Sequence, residues 1–168
     1  QKYYPLSGGG FYYSLQWSPD NKKITFNDNT SSRYWIDLNT GKVTKIGSDY
    51  YYQIPGLKNN SASWSGDSRW IAYTLNNAAW YQQINIYSID QNKSFPVTDG
   101  LSEASEPEFD ASGKYLWFFS STNAGPVNQW FDQSNADMKM NNSIYLAVLR
   151  KGIESPLMKE SDEEKPKT

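Results

Sequence analysis

Short runs of alternating apolar and polar positions recur along the chain, each closed by turn residues. Ile24 and Phe26 fall on one side of such a run, as do Ile71 and Tyr73, and Leu116 and Phe118. A period of two predicts strands. Each run follows an aromatic residue, a polar turn and a basic residue. The clearest copy is Trp64-Ser65-Gly66-Asp67-Ser68-Arg69-Trp70-Ile71-Ala72-Tyr73. The others run from Trp17 to Phe26 and from Phe109 to Phe118, so the starts lie 47 and 45 residues apart. Pro19 fixes its own φ, Asp20 and Asn21 suit a reversal, and Gly113 accepts a positive φ, so each copy reads as a hairpin.

The spaces between the copies fill with further strands. In the first repeat they are expected at 11–17, 24–27, 33–38 and 43–46, with Asn39-Thr40-Gly41-Lys42 as a hairpin signal. In the second, a strand leads into Trp64, and others follow at 70–75, 84–89 and 95–98. Asp90-Gln91-Asn92-Lys93 takes the place of the earlier turn, and Asp99-Gly100 breaks the last strand. The third repeat begins near Leu101 and continues through 116–120 and 144–149, split by a polar insert at 122–142 that carries Trp130, Phe131, Met138 and Met140. No segment has a helical pattern.

Four short strands in about 45 residues, repeated, is the arithmetic of a β-propeller blade. A β-sandwich is the rival, but its strands need not resemble one another at a fixed period. The fold class is therefore all-β, a propeller fragment of about three four-stranded antiparallel blades. Bulky residues on the second face (Trp70; Tyr115, Trp117, Phe119) indicate sheets covered on both sides. The expected divisions are 1–10, the last strand of a preceding blade; 11–53, 54–100 and 101–158, three blades; and 159–168, a charged linker. Propellers close with four to eight blades. The chain is thus expected to be part of a larger ring, or a half that pairs with a second copy.

Aromatic residues make up 16% of the chain, as suits the space between packed sheets. Sixteen Lys and Arg against 18 Asp and Glu leave no strong field for nucleic acid or an anionic membrane, and no apolar run is long enough to span one. The chain starts at Gln1 without Met and shows no signal peptide, which suggests processing or excision from something longer. Cysteine and histidine are absent. That removes disulfides, thiolate metal sites and the commonest general base, so a Ser–His unit cannot exist within these residues. No catalytic residue, metal or cofactor is expected. Asp20 and Asp67 read as turn residues. Glu103, Glu106, Glu108 and Asp110 form an acidic cluster in which 106, 108 and 110 would share a strand face; a solvated or channel-facing edge is preferred there over calcium. The tyrosine runs at 3–4, 12–13 and 50–52 read as packing between blades. Trp130 and Phe131 are the candidate substrate contacts, on a loop held by a rigid scaffold, or else pins that fasten that loop.

The motif Trp-Ser-Pro-Asp-Asn-Lys-Lys-Ile-Thr-Phe, followed by Trp-Ile-Asp-Leu-Asn-Thr-Gly-Lys-Val-Thr, resembles the PD40-type blade of TolB-like and tricorn-like propellers. The stretch from Trp64 to Glu164 is similar to the tricorn protease family and its bacterial homologues. Val97-Thr98-Asp99-Gly100, Ser105-Glu106-Pro107-Glu108-Phe109-Asp110, Ser143-Ile144-Tyr145-Leu146 and Ser161-Asp162-Glu163-Glu164 carry that resemblance, while Gly66 stands where Pro is usual. It implies a non-catalytic propeller part of a large serine peptidase, admitting or orienting peptides or unfolded polypeptide toward catalytic residues in later domains. The implied partners are the remaining blades and that peptidase domain, with self-association of fragments as a further expectation. A TolB- or WD40-like binding scaffold, or the propeller of a prolyl or dipeptidyl peptidase, are the alternatives. The compartment, bacterial cytoplasm or periplasm, stays open.

Overall fold

A computed structural model describes residues 2–6, 10–52, 61–123 and 139–158. Among them every regular element is a strand: β1 (Tyr12–Trp17), β2 (Lys23–Asp28), β3 (Ser32–Asp37), β4 (Val43–Ser48), β5 (Ala62–Trp64), β6 (Trp70–Asn76), β7 (Gln82–Ser88), β8 (Lys93–Pro96), β9 (Glu103–Phe109), β10 (Tyr115–Ser121) and β11 (Ser143–Val148). They form three antiparallel meanders, β1-β2-β3-β4, β5-β6-β7-β8 and β9-β10-β11, with neighbours in chain order paired. The first two sheets have the four strands expected. The third shows three, and residues 150–158 beyond it are irregular. Residues 2–6, assigned to a strand by the sequence, join no sheet: Lys2 Nζ and Tyr4 Oη both donate to Leu38 O at 2.6 Å. A lone extended segment has no ladder to pair with, so side chains hold it instead.

The repeated turn is built from the same hydrogen bonds three times. Ser18 Oγ donates to Asp20 Oδ1 (2.6 Å) and accepts from Lys23 N (3.0 Å). Ser65 Oγ donates to Asp67 Oδ1 (2.6 Å) and accepts from Trp70 N (2.9 Å). In the third copy the two side chains trade places: Ser112 Oγ donates to Asp110, whose Oδ1 accepts from Tyr115 N at 2.8 Å. The fifth residue of each copy, Asn21, Ser68 or Gly113, has φ of 56°, 59° or 63°. Hydrogen bonds to its turn outweigh burial and hold the Asp20 carboxyl at about 2. Asp110 is also held at about 2, chiefly by the Ser112 hydroxyl.

After the turn, strict alternation sends the two faces of β6 to different neighbours. Ile71 and Tyr73 join Trp35, Ala62 and Tyr87 in a core between the first and second sheets. Ala72 and Ile84 join Ala104 and Leu116 in a second core between the second and third. The middle sheet is therefore covered on both sides, and Ile71, Ala72, Ile84 and Leu116 are fully buried. Polar ties repeat the contact: Asp20 N donates to Ser68 Oγ (3.0 Å), Phe109 N to Ser63 Oγ (3.2 Å) and Asn76 N to Asp49 Oδ1 (2.7 Å). Tyr51 stacks on Trp80 with ring centroids 3.6 Å apart, while Tyr50 and Tyr52 stay exposed. By the same alternation Tyr115, Trp117 and Phe119, paired with Val148, Leu146 and Ile144, lie on the face of the third sheet turned away from the second.

The first strands β1 and β9 each carry a bulge. The register slips between Tyr13 and Gln16 in one pair and opposite Trp117 and Phe119 in the other. Ser14 and Glu106, each three residues before the turn aromatic, take φ of 54° and 52°. Pro107, which cannot donate to a ladder, sits beside the second bulge.

Candidate functional site

The turns of the three copies lie at one end of the sheets. At the other end, β7 and β9 begin and β10 ends, and there a cavity of about 260 Å³ opens against the third sheet, with Gln82 of the second sheet beside it. Gln82, Glu103, Ser105, Glu106, Phe119, Met140 and Asn142 line it. Local chemistry fixes this wall. The Glu103 backbone carbonyl accepts from Ser120 Oγ at 2.8 Å, and its carboxylate Oε2 accepts from Gln82 N at 2.9 Å. The bulge at Glu106 then breaks the alternation of β9.

Glu103 is 7% exposed, and burial pushes its carboxyl above the usual range although the Gln82 amide favours the charged form. Gln82 is likewise 7% exposed, and its Oε1 is buried with no hydrogen-bond donor among the described residues. Phe119 and Met140 add apolar surface. The mouth of the insert lies nearby: Asn123 Oδ1 accepts from Ser121 Oγ (2.7 Å) and from Asn141 N (3.3 Å), tying the two ends together.

The expected shared face of 106, 108 and 110 is not formed. Glu106 occupies the bulge, β9 ends at Phe109, and Asp110 is consumed by its turn. Among the described residues no three acidic, histidine or cysteine side chains could hold a metal ion, and no helix is long and apolar enough to cross a membrane. The candidate contacts Trp130 and Phe131, together with Met138 and the linker 159–168, lie outside the described residues. Gln82 was missed in the sequence because it stands 21 residues from the carboxylate it meets.

Three successive antiparallel meanders stacked face to face, the middle one lending one face to the sheet before and one to the sheet after, make this a segment of a β-propeller. The particular likeness is to the tricorn proteases. A tricorn-like protease C-terminal subunit of Sulfurisphaera tokodaii is 29% identical over 111 residues, 66% of this chain and 12% of that protein. The tricorn protease of Thermoplasma volcanium is 27% identical over 153 residues, 88% of this chain and 14% of its own length. A crystal structure of the tricorn protease superposes with a TM-score of 0.70 at 22% identity, covering 93% of this chain and 15% of that one. The chain thus spans about a seventh or less of the curated relatives it matches. No family model matches it.

Proposed function

We propose that the chain is a propeller segment of a tricorn-like serine peptidase that admits or orients peptides toward catalytic residues lying outside these 168 residues. The observation that carries this reading is the sequence likeness to tricorn proteases, which extends over 66% and 88% of the chain in the two relatives named above. The composition agrees: without histidine the chain has no Ser–His unit of its own. The apolar face of Trp117, Ile144 and Leu146 also supports it. Such a face is costly to leave in water, and a further blade would cover it. On this reading residues 1–10 belong to a preceding blade, 11–53, 54–100 and 101–158 are three blades, and 159–168 is a connector.

The test is direct. The purified chain is incubated with a fluorogenic peptide library, and peptide binding is followed in parallel. Binding without turnover is expected, and a serine peptidase domain is expected in the coding sequence beyond Thr168. Turnover by the chain alone would overturn the proposal.

A further inference from the structure

The cavity at this end of the third sheet is lined by two carboxylates, Glu103 and Glu106, and by no cationic side chain among the described residues. Glu103 presents a buried carboxylate whose Oε2 accepts from the Gln82 amide at 2.9 Å. Gln82 Oε1 is buried without a donor among the described residues. Ser105, Asn142 and Glu106 complete the polar lining, and Phe119 and Met140 supply its apolar part. A buried carboxylate needs positive charge or several donors to stay ionised, and a buried carboxamide oxygen needs a donor. One ligand chemistry answers both: a cation that carries N–H groups.

The volume decides between kinds of cation. At about 30 Å³ per water, 260 Å³ corresponds to roughly eight or nine waters. That is too roomy for a bare metal ion held by two carboxylates, and just below the roughly 300 Å³ at which whole small-molecule sites begin. It fits one long side chain. An apolar wall also has no use against a metal ion, but it suits the alkyl stem of lysine or arginine, which buries its methylenes and presents its charged tip to an acceptor.

The geometry points to a subsite for a basic side chain of a bound peptide, with Glu103 as counter-ion, Gln82 Oε1 as second acceptor, and Phe119 and Met140 against the stem. This rests on the peptide-handling reading above and names the residue class that the segment selects. It places the selection where the insert between β10 and β11 returns to the sheet. Burial that raises the Glu103 carboxyl in the free protein fits as well, because a bound ammonium or guanidinium favours its ionised form.

The probes are N-acetyl-lysine-N-methylamide, its arginine and norleucine counterparts, and calcium chloride, titrated into the 168-residue chain by NMR. Peptides with lysine or norleucine at one position are titrated beside them. The basic probes are expected to bind and to shift the Met140 methyl and Asn142 amide signals. Norleucine and calcium are expected to leave those signals in place. Glu103→Gln, which keeps the shape and removes the charge, is expected to weaken the basic probes roughly 10- to 100-fold. Because the signals are read first in the unaltered protein, a misfolded variant cannot mask the answer. Saturable calcium binding at these signals, or equal affinity for lysine and norleucine, overturns the subsite. If peptides bind regardless of the basic residue, the subsite fails and the peptide reading stands. If the basic probes bind and no peptide does, the subsite stands and the peptide reading fails.

Discussion

Ile24 and Ile71 occupy the same position in two copies of one motif, but only Ile71 has a neighbouring sheet against it. It is fully buried in the core with Trp35, Tyr73 and Tyr87, whereas Ile24 is half-buried on the outer face of the first sheet. Replacing a fully buried isoleucine by alanine costs about 2–5 kcal/mol, the lost transfer energy plus the cavity left behind. At Ile24 part of the side chain already meets water, so about 1 kcal/mol is expected by the same area argument. For a chain of this size the Ile71→Ala loss lowers Tm by roughly 4–20 °C. Ile71→Val, which removes one methyl, is expected to cost about 0.5–1.5 kcal/mol. Urea unfolding followed by tryptophan fluorescence measures all three, and Trp35 in the same core serves as a local reporter. Equal losses at Ile24 and Ile71, or a loss at Ile71 below about 1 kcal/mol, would refute the assignment of that face to a blade interface.

Gly113→Ala is expected to cost about 1–2 kcal/mol, from backbone strain alone, since its φ is 63° and an added Cβ meets nothing within 4 Å; an unchanged urea midpoint would contradict this. Asp20 and Asp110 both sit at about 2 in the folded chain, below the ordinary aspartate value of 3.8. Their contribution is therefore complete above pH 4 and lost as pH falls toward 2, so Tm is expected to drop across that window, and less steeply in Asp110→Asn. Glu103 has the opposite sign: its raised folded value means that its ionisation opposes folding as pH rises above 4.5. Glu103→Gln is accordingly expected to raise the urea midpoint at pH 7 and leave it nearly unchanged at pH 4, and a lower midpoint at pH 7 would contradict the burial argument.

The turns were legible because their chemistry is local. Ser, Asp, Asn and Gly at fixed offsets specify the reversal whatever lies beyond, and even the Ser–Asp exchange in the third copy preserves the bond. Strand limits followed to within about two residues, since alternation ends where turn residues begin. The bulges at Ser14 and Glu106 were not legible from periodicity, because neither residue favours a positive φ; only Pro107 gave a local sign. Residues 2–6 read as a strand from composition alone, yet strand formation depends on a partner that composition cannot supply. For the site, Glu103 stood out as one carboxylate of four. What set it apart, burial against Gln82 from the neighbouring sheet, is tertiary.

The central claim is that consecutive sheets stack as adjacent blades, with opposite faces of β6 meeting different neighbours. A methyl–aromatic NOESY spectrum of the 168-residue chain tests it most directly. The account predicts cross-peaks from Ile71 to the rings of Trp35 and Tyr87, and from Ile84 to Leu116, with none between Ile71 and Leu116. Cross-peaks joining Ile71 to Leu116, as two stacked layers with mixed strands would give, would contradict it.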